Sequence, residues 1–423
     1  MMVFALVVFL VVLAAFALDL IHRTPAALAG GILLVMVGAI SEHEAIEAVH
    51  WETLGLLVGM MILVGILKDS GVFGYIAIKS AQAAKGHPGL VLVYLSFITA
   101  VLSAFLDNVT TVLLMFPVTM VIARILEEDP IPYLIVEVLA SNIGGTATLV
   151  GDPPNIIIGT VVDELTFMDF IVNLAPPISI ILLVTLGIVW LVHARKLRTT
   201  DEDREEIMAL DAASEIKDRS LLVRSGTVMI LTVIAFFLQQ VTGFNPAVVA
   251  LAGAAVAMLI CGPEVEKVLH EVEWPTILFF VGLFVMVGTL EATGFIELVA
   301  EALASASQSL AMTALIVMWG SGIASGIVDN IPFTATMVPV IEELAHARGY
   351  DTATVEPLWW SLSLGACLGG NFTLIGASAN LVVAGLVGRE GMSFSFWRFL
   401  LWGFPLTIVA LVISSIWILV VEL

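Results

Sequence analysis

Apolar residues fill long stretches of the chain, and short polar segments separate these stretches. Runs of about 18 or more apolar residues are long enough to cross a bilayer as helices. The pattern predicts an all-α polytopic membrane protein with five spans in each half of the chain. The predicted spans lie near 3–20, 24–40, 51–68, 132–163 and 170–193, and near 221–239, 245–262, 275–291, 356–387 and 397–421. The first run lacks a basic start and a small-residue cleavage site, so we interpret it as a span rather than a signal peptide.

Adjacent acid and amide residues interrupt two further apolar segments. LDNVTTVLLMFP (106–117) and VDNIPFTATMVP (328–339) each place Asp-Asn in an apolar setting, with Pro nine residues beyond the Asn. Both lie between the third and fourth spans of their halves, so we predict re-entrant helix hairpins over 88–126 and 309–346. The Gly- and Pro-rich stretches 132–163 and 356–387 predict discontinuous helices, because broken backbone inside a membrane needs a protein-lined cavity.

The two halves also match each other in sequence. WETLGLLVGMMILVGILKDSG (51–71) aligns with WPTILFFVGLFVMVGTLEATG (274–294), and SNIGGTATLVGDPPN (141–155) aligns with ACLGGNFTLIGASAN (366–380). This order predicts two repeats, 1–194 and 221–423, joined by a polar linker, 195–220. Since five crossings is an odd number, the second repeat should be inverted relative to the first, as is typical of secondary transporters.

Composition agrees with a membrane protein, and the basic residues predict its orientation. Of 423 residues, 60% are hydrophobic and 13% are charged, against roughly 25% charged in soluble proteins. With the predicted spans, 15 of the 16 Lys and Arg fall on one side and only Arg348 on the other. That side should be cytoplasmic, which places the linker inside and both termini outside. The net charge of −21 indicates either a solvated loop surface or an acidic exterior, and no nucleic-acid partner. Two cysteines in apolar helices predict neither a disulfide nor a metal site.

Polar residues at the hairpin tips and helix breaks are the candidates for a transport site. Ionisable groups inside a membrane are costly and usually functional, although Asp and Asn also cap helices. The candidate substrate-binding residues are Asn108, Thr111, Thr148, Asn155, Asn330, Thr334, Thr373 and Asn380. The candidates for proton or cation coupling are Asp107, Asp152 and Asp329. Asp152 breaks the repeat symmetry, since its counterpart is Ala377.

The charges near these segments limit the substrate. The tips and breaks of these segments (106–117, 141–155, 328–339 and 366–380) together carry Asp residues and no Lys, Arg or His, so no basic residue is expected near the site. Uncompensated like charges are costly at low dielectric. A cation or a neutral polyhydroxylated solute is therefore expected rather than a dianion. Glu137 is a further candidate carboxylate. Cys367 is a candidate ligand for a thiophilic metalloid, with small-residue packing as the alternative explanation.

At SAFLDNVTTVLLMFPVT, GGTATLVGDPPN and GGNFTLIGASAN the chain resembles the ArsB/NhaD ion-transporter superfamily, in particular its arsenite permease/P-protein branch. The resemblance implies two inverted halves around a central site. Sodium-coupled dicarboxylate carriers of the superfamily have Ser-Asn-Thr at the hairpin tips, where this chain has Asp-Asn. Arsenite permeases export arsenite and antimonite by proton exchange, some with a soluble ATPase partner, and sodium/proton antiporters look similar.

The resemblance leads to the expectation of a cofactor-free, proton-coupled secondary transporter in a bacterial or archaeal inner membrane, exporting arsenite or antimonite. The alternatives are a Na⁺/H⁺ antiporter, a dicarboxylate or other anion carrier, and an intramembrane aspartyl protease using Asp107 and Asp329 as an acid pair. The protease alternative lacks a Gly-x-Gly-Asp signature, since Leu149 precedes Val150-Gly151-Asp152.

Overall fold

The computed structural model describes residues 1–17 and 20–423, and the regular secondary structure in these ranges is helical. Residues 18 and 19 of the predicted first span lie outside the described residues. The helices before the linker are α1 (Met2–Ala17), α2 (Arg23–Met36), α3 (Glu42–Glu47), α4 (Trp51–Lys68), α5 (Val72–Ala83), α6 (Pro88–Ser103), α7 (Asn108–Ile125), α8 (Pro130–Gly145), α9 (Pro153–Val161) and α10 (Phe167–Val192).

The linker contains α11 (Asp201–Ala209) between two short 3₁₀ turns. The helices of the second half are α12 (Arg219–Phe237), α13 (Gln239–Thr242), α14 (Pro246–Cys261), α15 (Val265–Glu271), α16 (Trp274–Ala292), α17 (Phe295–Ala306), α18 (Leu310–Val328), α19 (Asn330–Arg348), α20 (Thr352–Gly369), α21 (Ser378–Arg389) and α22 (Phe396–Trp417), and a π-helical turn follows.

The all-α polytopic fold class predicted from the sequence is confirmed. Among the described residues, seven helices are long and apolar enough to cross a bilayer, and four shorter helices are also apolar. The seven include α7 and α18, one arm of each predicted hairpin. The count of ten crossings and the inverted arrangement therefore remain predictions.

The segments predicted as hairpins and discontinuous helices are each built from two helices. In both hairpin segments the two arms pack against each other, α6 on α7 and α18 on α19. The chain between α8 and α9, and between α20 and α21, is non-helical at the Gly-rich stretches. We call α6–α9 and α18–α21 together the hairpin-and-break elements.

Two repeat-related glycines allow these elements to pack closely. α8 packs on α6, and α20 packs on α18. A methyl group added at Gly144 would overlap the carbonyl group of Ala100, and one added at Gly369 would overlap the carbonyl group of Gly322. Only glycine permits this approach of two helix backbones, which explains the first glycine of the Gly-Gly pair in each half of the sequence.

Four other helices form a second group, which we call the frame. α2 packs along α16, and α4 packs along α14. Each pair therefore joins a helix from one half of the chain to a helix from the other. At one end of α4, two ion pairs reinforce this joining: Lys68 Nζ lies 2.7 Å from Glu271, and Lys267 Nζ lies 2.6 Å from Asp69. Asp69 accepts this hydrogen bond and thereby raises the pKa of Lys267.

Candidate transport site at the hairpin tips and helix breaks

Both hairpin tips are capped by their aspartates. The Asp107 carboxylate accepts a hydrogen bond from the backbone N–H of Thr110 at 2.9 Å, and the Asp329 carboxylate accepts one from the backbone N–H of Ile331 at 3.1 Å. Each Asp therefore satisfies an N–H group at the start of α7 or α19. Capping accounts for one oxygen of each carboxylate, so both residues retain an oxygen for another contact.

Buried asparagines connect the first tip to the second half of the chain. Asn108 donates to the side-chain oxygen of Asn142 at 3.0 Å. The Asn142 amide donates in turn to Asn371 at 2.8 Å and to Asn380 at 3.0 Å. All four side chains are at most 3% exposed. The network joins α7 and α8 to the break of the second half, and the Asn108 side-chain oxygen has no partner among the described residues.

Asp152 makes a second connection between the halves, from the break of the first half to the tip of the second. It precedes α9 in the first half, and one of its oxygens accepts a hydrogen bond from the Asn330 amide at 3.2 Å. The residue is 0% exposed. Its second oxygen has no hydrogen-bond partner in the described part of the chain. Asp152 is thus a buried acceptor that has only one of its two oxygens satisfied.

The four candidate threonines donate their hydroxyl groups within the protein. Thr148 donates to the carbonyl group of Ala104, and Thr373 donates to that of Gly326 at 2.6 Å. Each acceptor lies three residues before the Asp of its tip. Thr111 and Thr334 donate one turn back along their own helices, to Asp107 at 2.9 Å and to Asn330 at 2.8 Å. The predicted donation of these hydroxyl groups to a solute would require exchange of these bonds.

Asn155 and Asn380 close the two breaks in the same way. The Asn155 amide donates to the carbonyl groups of Thr146 and Thr148 at 3.0 and 2.8 Å. The Asn380 amide donates to the carbonyl groups of Gly370 and Thr373 at 2.8 and 3.0 Å. These bonds satisfy backbone carbonyls that the broken helices leave unpaired.

The remaining acceptor of Asn155 faces α20. Its side-chain oxygen accepts from Ser363 at 2.5 Å and from the Cys367 thiol at 3.6 Å. Cys367 is fully buried. Its thiol therefore already contacts a side chain of the first half.

Arg23 lies beside the second tip, and this placement was not predicted from the sequence. Its guanidinium group is 3.8 Å from the Asp329 carboxylate, bonds the Ser378 hydroxyl group, and donates to Thr276 at 3.1 Å. The expectation that no basic residue lies near the site is therefore wrong. The packing of α2 along α16 brings the first residue of α2 to a tip more than 300 positions further along the chain.

Two cavities meet at Arg23 and Ser378. The inner cavity lies between the tips and is lined by Asp107, Asn108, Glu273 and Asn330, among others. A vestibule of about 260 Å³ lies on the other side of Arg23 and is lined by Phe16, Ile21, His22, Asp329, Leu381 and other side chains. The inner cavity thus has an approach, and Arg23 and Ser378 stand where the two cavities join.

A third cavity, of about 200 Å³, lies at the other end of α16. It is lined by His50, Glu291 and Glu342, together with apolar residues of α9 and α19. Thr276, at the inner cavity, and Glu291 are fifteen residues apart on α16, which is about 22 Å along the helix axis. Cavities therefore approach the tips and breaks from two directions.

The structure brings most of the predicted site residues together, and it adds others. Both tips, Asp152 and the asparagines form one buried polar region. Glu137 is also buried, but it accepts a hydrogen bond from Thr119 at 2.7 Å, eleven residues beyond Asn108 on α7. The polar residues that the sequence reading did not select for the site are Arg23, Asn142, Glu273, Thr276, Ser363, Asn371 and Ser378. The position of Asn142 in the SNIGG motif, two residues before the Gly-Gly pair, could have indicated that its amide belongs to the site.

Comparison with known proteins gives the family. Residues 8–365 match the family CitMHS, described as "Citrate transporter". An uncharacterized transporter of Mycobacterium tuberculosis is 41% identical over 99% of this chain and 98% of its own length. Human P protein is 34% identical over 99% of this chain and 58% of its own length. These relatives include the P protein named in the resemblance, whereas the arsenite permease branch is not specifically indicated.

A solved structure supports the fold. The YdaH transporter of Alcanivorax borkumensis aligns with a TM-score of 0.53 at 14% identity, over 92% of this chain and 87% of that chain. The family match and the mycobacterial relative support a transporter rather than the aspartyl protease considered from the sequence. The chain is a multi-pass membrane transporter and belongs to the CitMHS citrate transporter family.

Proposed function

We propose that this transporter is a proton-coupled secondary carrier that exports a small neutral hydroxylated solute, with As(OH)₃ and Sb(OH)₃ as the leading substrates. The observation that carries the proposal is the burial of Asp152 between the two halves, with one carboxylate oxygen unpartnered. A buried charged group without full hydrogen bonding is costly. Uptake of a proton, or contact with a donor on the solute, would remove that cost.

The unpartnered atoms of the site favour a solute that donates hydrogen bonds. The free oxygens of Asn108 and Asp152 are both acceptors, and the hydroxyl groups of As(OH)₃ are donors. The guanidinium group of Arg23 is already engaged with Asp329. Asp107 and Asp152 carry no such compensation, and the Arg23 charge acts on Glu273 only from beyond ion-pair distance. A neutral solute or a cation therefore costs less to bury than an anion.

Two alternative substrates have support of their own. Sodium would find the same oxygens as ligands, which makes a Na⁺/H⁺ antiporter the second candidate. A carboxylate anion such as citrate is the third candidate, because the family is described by that substrate and because Arg23 supplies a cation at the cavity. The soluble ATPase partner, the inner-membrane location and the orientation with both termini outside stay predictions.

Transport by everted membrane vesicles separates these candidates. We expect proton-driven accumulation of arsenite by the wild type. Asp152→Asn should abolish this accumulation while preserving exchange of arsenite at equilibrium. Asp163→Asn, at an exposed loop position, is the matched control and should behave as the wild type.

Each other outcome has a definite meaning. Undiminished accumulation by the Asp152→Asn variant would remove Asp152 from the mechanism. Dissipation of a pH gradient by sodium, without arsenite accumulation, would favour the antiporter. Proton-dependent citrate transport, without either of the other two activities, would favour the anion carrier.

A further inference from the structure

Arg23 contacts both groups of helices at once. Its guanidinium group donates to Thr276 and lies over the ring of Phe279 at 5.3 Å, and both of these residues belong to α16 of the frame. The same group bonds Ser378 and faces Asp329, which belong to the hairpin-and-break elements. One side chain therefore joins the frame to a hairpin tip and to a helix break at the mouth of the inner cavity.

The residue that Arg23 faces has an unfavourable backbone conformation. Asp329 has φ +98° and ψ 142°, whereas its repeat counterpart Asp107 has φ −63° and ψ 153°. A positive φ with an extended ψ is a region that residues other than glycine rarely adopt, and it persists only where surrounding contacts fix it. The contacts available to the Asp329 side chain are the Ile331 N–H, the Ser378 hydroxyl group at 3.2 Å and Arg23.

No equivalent cation stands at the first tip among the residues that the structure describes. The start of α14, which corresponds to the start of α2, carries Phe244 and Asn245. The Asn245 side chain bonds Glu52 rather than a tip. The titratable groups around Asp329 and its cavities are Arg23 and His22 of the α2 start, Asp107 of the first tip, Glu273 of α16 and, bonded to Asn330, Asp152.

We propose that Arg23 is a positioning residue of the transport site, which compensates the charge of Asp329 and holds the second tip against the frame. Asp329 then serves as a fixed anchor and not as a proton carrier, and the exchange of protons falls to the carboxylates without a cation. The role of Arg23 in transport rests on the proposed function, but its role in holding the second tip can be tested without a substrate. Arg23 thereby gives the two otherwise related tips different tasks.

A charge-pair exchange tests the role in transport. Arg23→Gln alone and Asp329→Asn alone should each reduce transport by at least about tenfold, because the first leaves the buried charge of Asp329, and the second the partly exposed charge of Arg23, without its partner. The double variant Arg23→Gln/Asp329→Asn should recover to within about threefold of the wild type, and Arg23→Lys should retain most activity because it keeps the charge. A wild-type rate in Arg23→Gln would overturn the proposal. A loss that persists in the double variant, with a raised KM, would overturn it in favour of direct solute binding by the guanidinium group.

A labelling experiment tests the same inference independently of any substrate. Val328→Cys, in a Cys261→Ser background, places a thiol beside the tip on the wall of the vestibule. Removal of the guanidinium group by Arg23→Gln should accelerate the reaction of this thiol with a polar reagent several-fold, and addition of Asp329→Asn should reverse the effect. Unchanged reactivity in folded Arg23→Gln protein would overturn the holding role, even if the proposed function is correct. If transport of every solute tested is absent while the labelling behaves as expected, the proposed function fails and the holding role stands.

Discussion

Asn142 offers the most direct measure of what joins the two halves of the site. Its side chain makes three hydrogen bonds, to Asn108, Asn371 and Asn380, and it is 0% exposed. Asn142→Leu keeps a similar volume and removes all three bonds. Side-chain hydrogen bonds between membrane helices are worth about 0.6 kcal/mol on average and about 1.7 at most. Three lost bonds thus amount to about 2 to 5 kcal/mol of stability.

The measurement is thermal unfolding of the purified protein in detergent, and its readout is the monodisperse fraction that remains after heating. Asn173→Leu is the matched control, because the half-buried Asn173 amide donates to the backbone carbonyl group of Asp169, one turn back in its own helix. Its cost should be smaller, because this bond lies within one helix and joins no second helix. If Asn142→Leu proved as stable as Asn173→Leu, the network would not hold the halves together, and the reasoning would be refuted.

Two further predictions concern packing and orientation. Gly144→Ala should destabilise the fold by about 1 to 3 kcal/mol, because the added methyl group meets backbone of α6 that cannot yield. Gly187 has open space around it, so Gly187→Ala should leave the stability equal or slightly higher. Equal melting temperatures for the two variants would contradict the close approach of α8 to α6. In a Cys261→Ser background, Ala213→Cys in the linker should react with an impermeant thiol reagent only from the cytoplasmic side, and Glu42→Cys only from the opposite side. Labelling of both from one side would contradict the predicted orientation.

The positions of the tips and breaks could be predicted because their causes are local. An Asp before a run of helix formers caps a helix, and Gly-Gly followed by a Pro- or Ser-led restart interrupts one. The helix bounds at these places accordingly lie close to those predicted from the sequence. The predicted role of Thr148 and Thr373 was harder to judge, because a threonine hydroxyl group can bond a solute or a nearby carbonyl group equally well.

The partners of the site residues could not be predicted, because they are distant in the sequence. Arg23 stands between two apolar runs and looks like an ordinary cytoplasmic flank of a span. Its partners Thr276 and Ser378 lie 253 and 355 positions away. The bond from Asn142 to Asn371 similarly joins residues 229 positions apart. Such pairs depend on which helices pack together, and no local pattern encodes that choice.

The bonds from Thr148 and Thr373 to the hairpins have a consequence for the proposed transport. Each threonine ties a break to the chain just before its own tip, so we expect the tip and the break of one half to keep their relative position during transport. Their polar atoms would keep the same mutual distances whichever compartment has access. Each half would then make the same contacts with a bound solute on entry and on exit. The direction of transport would come from the ion gradient rather than from a difference in solute affinity between the two sides of the membrane.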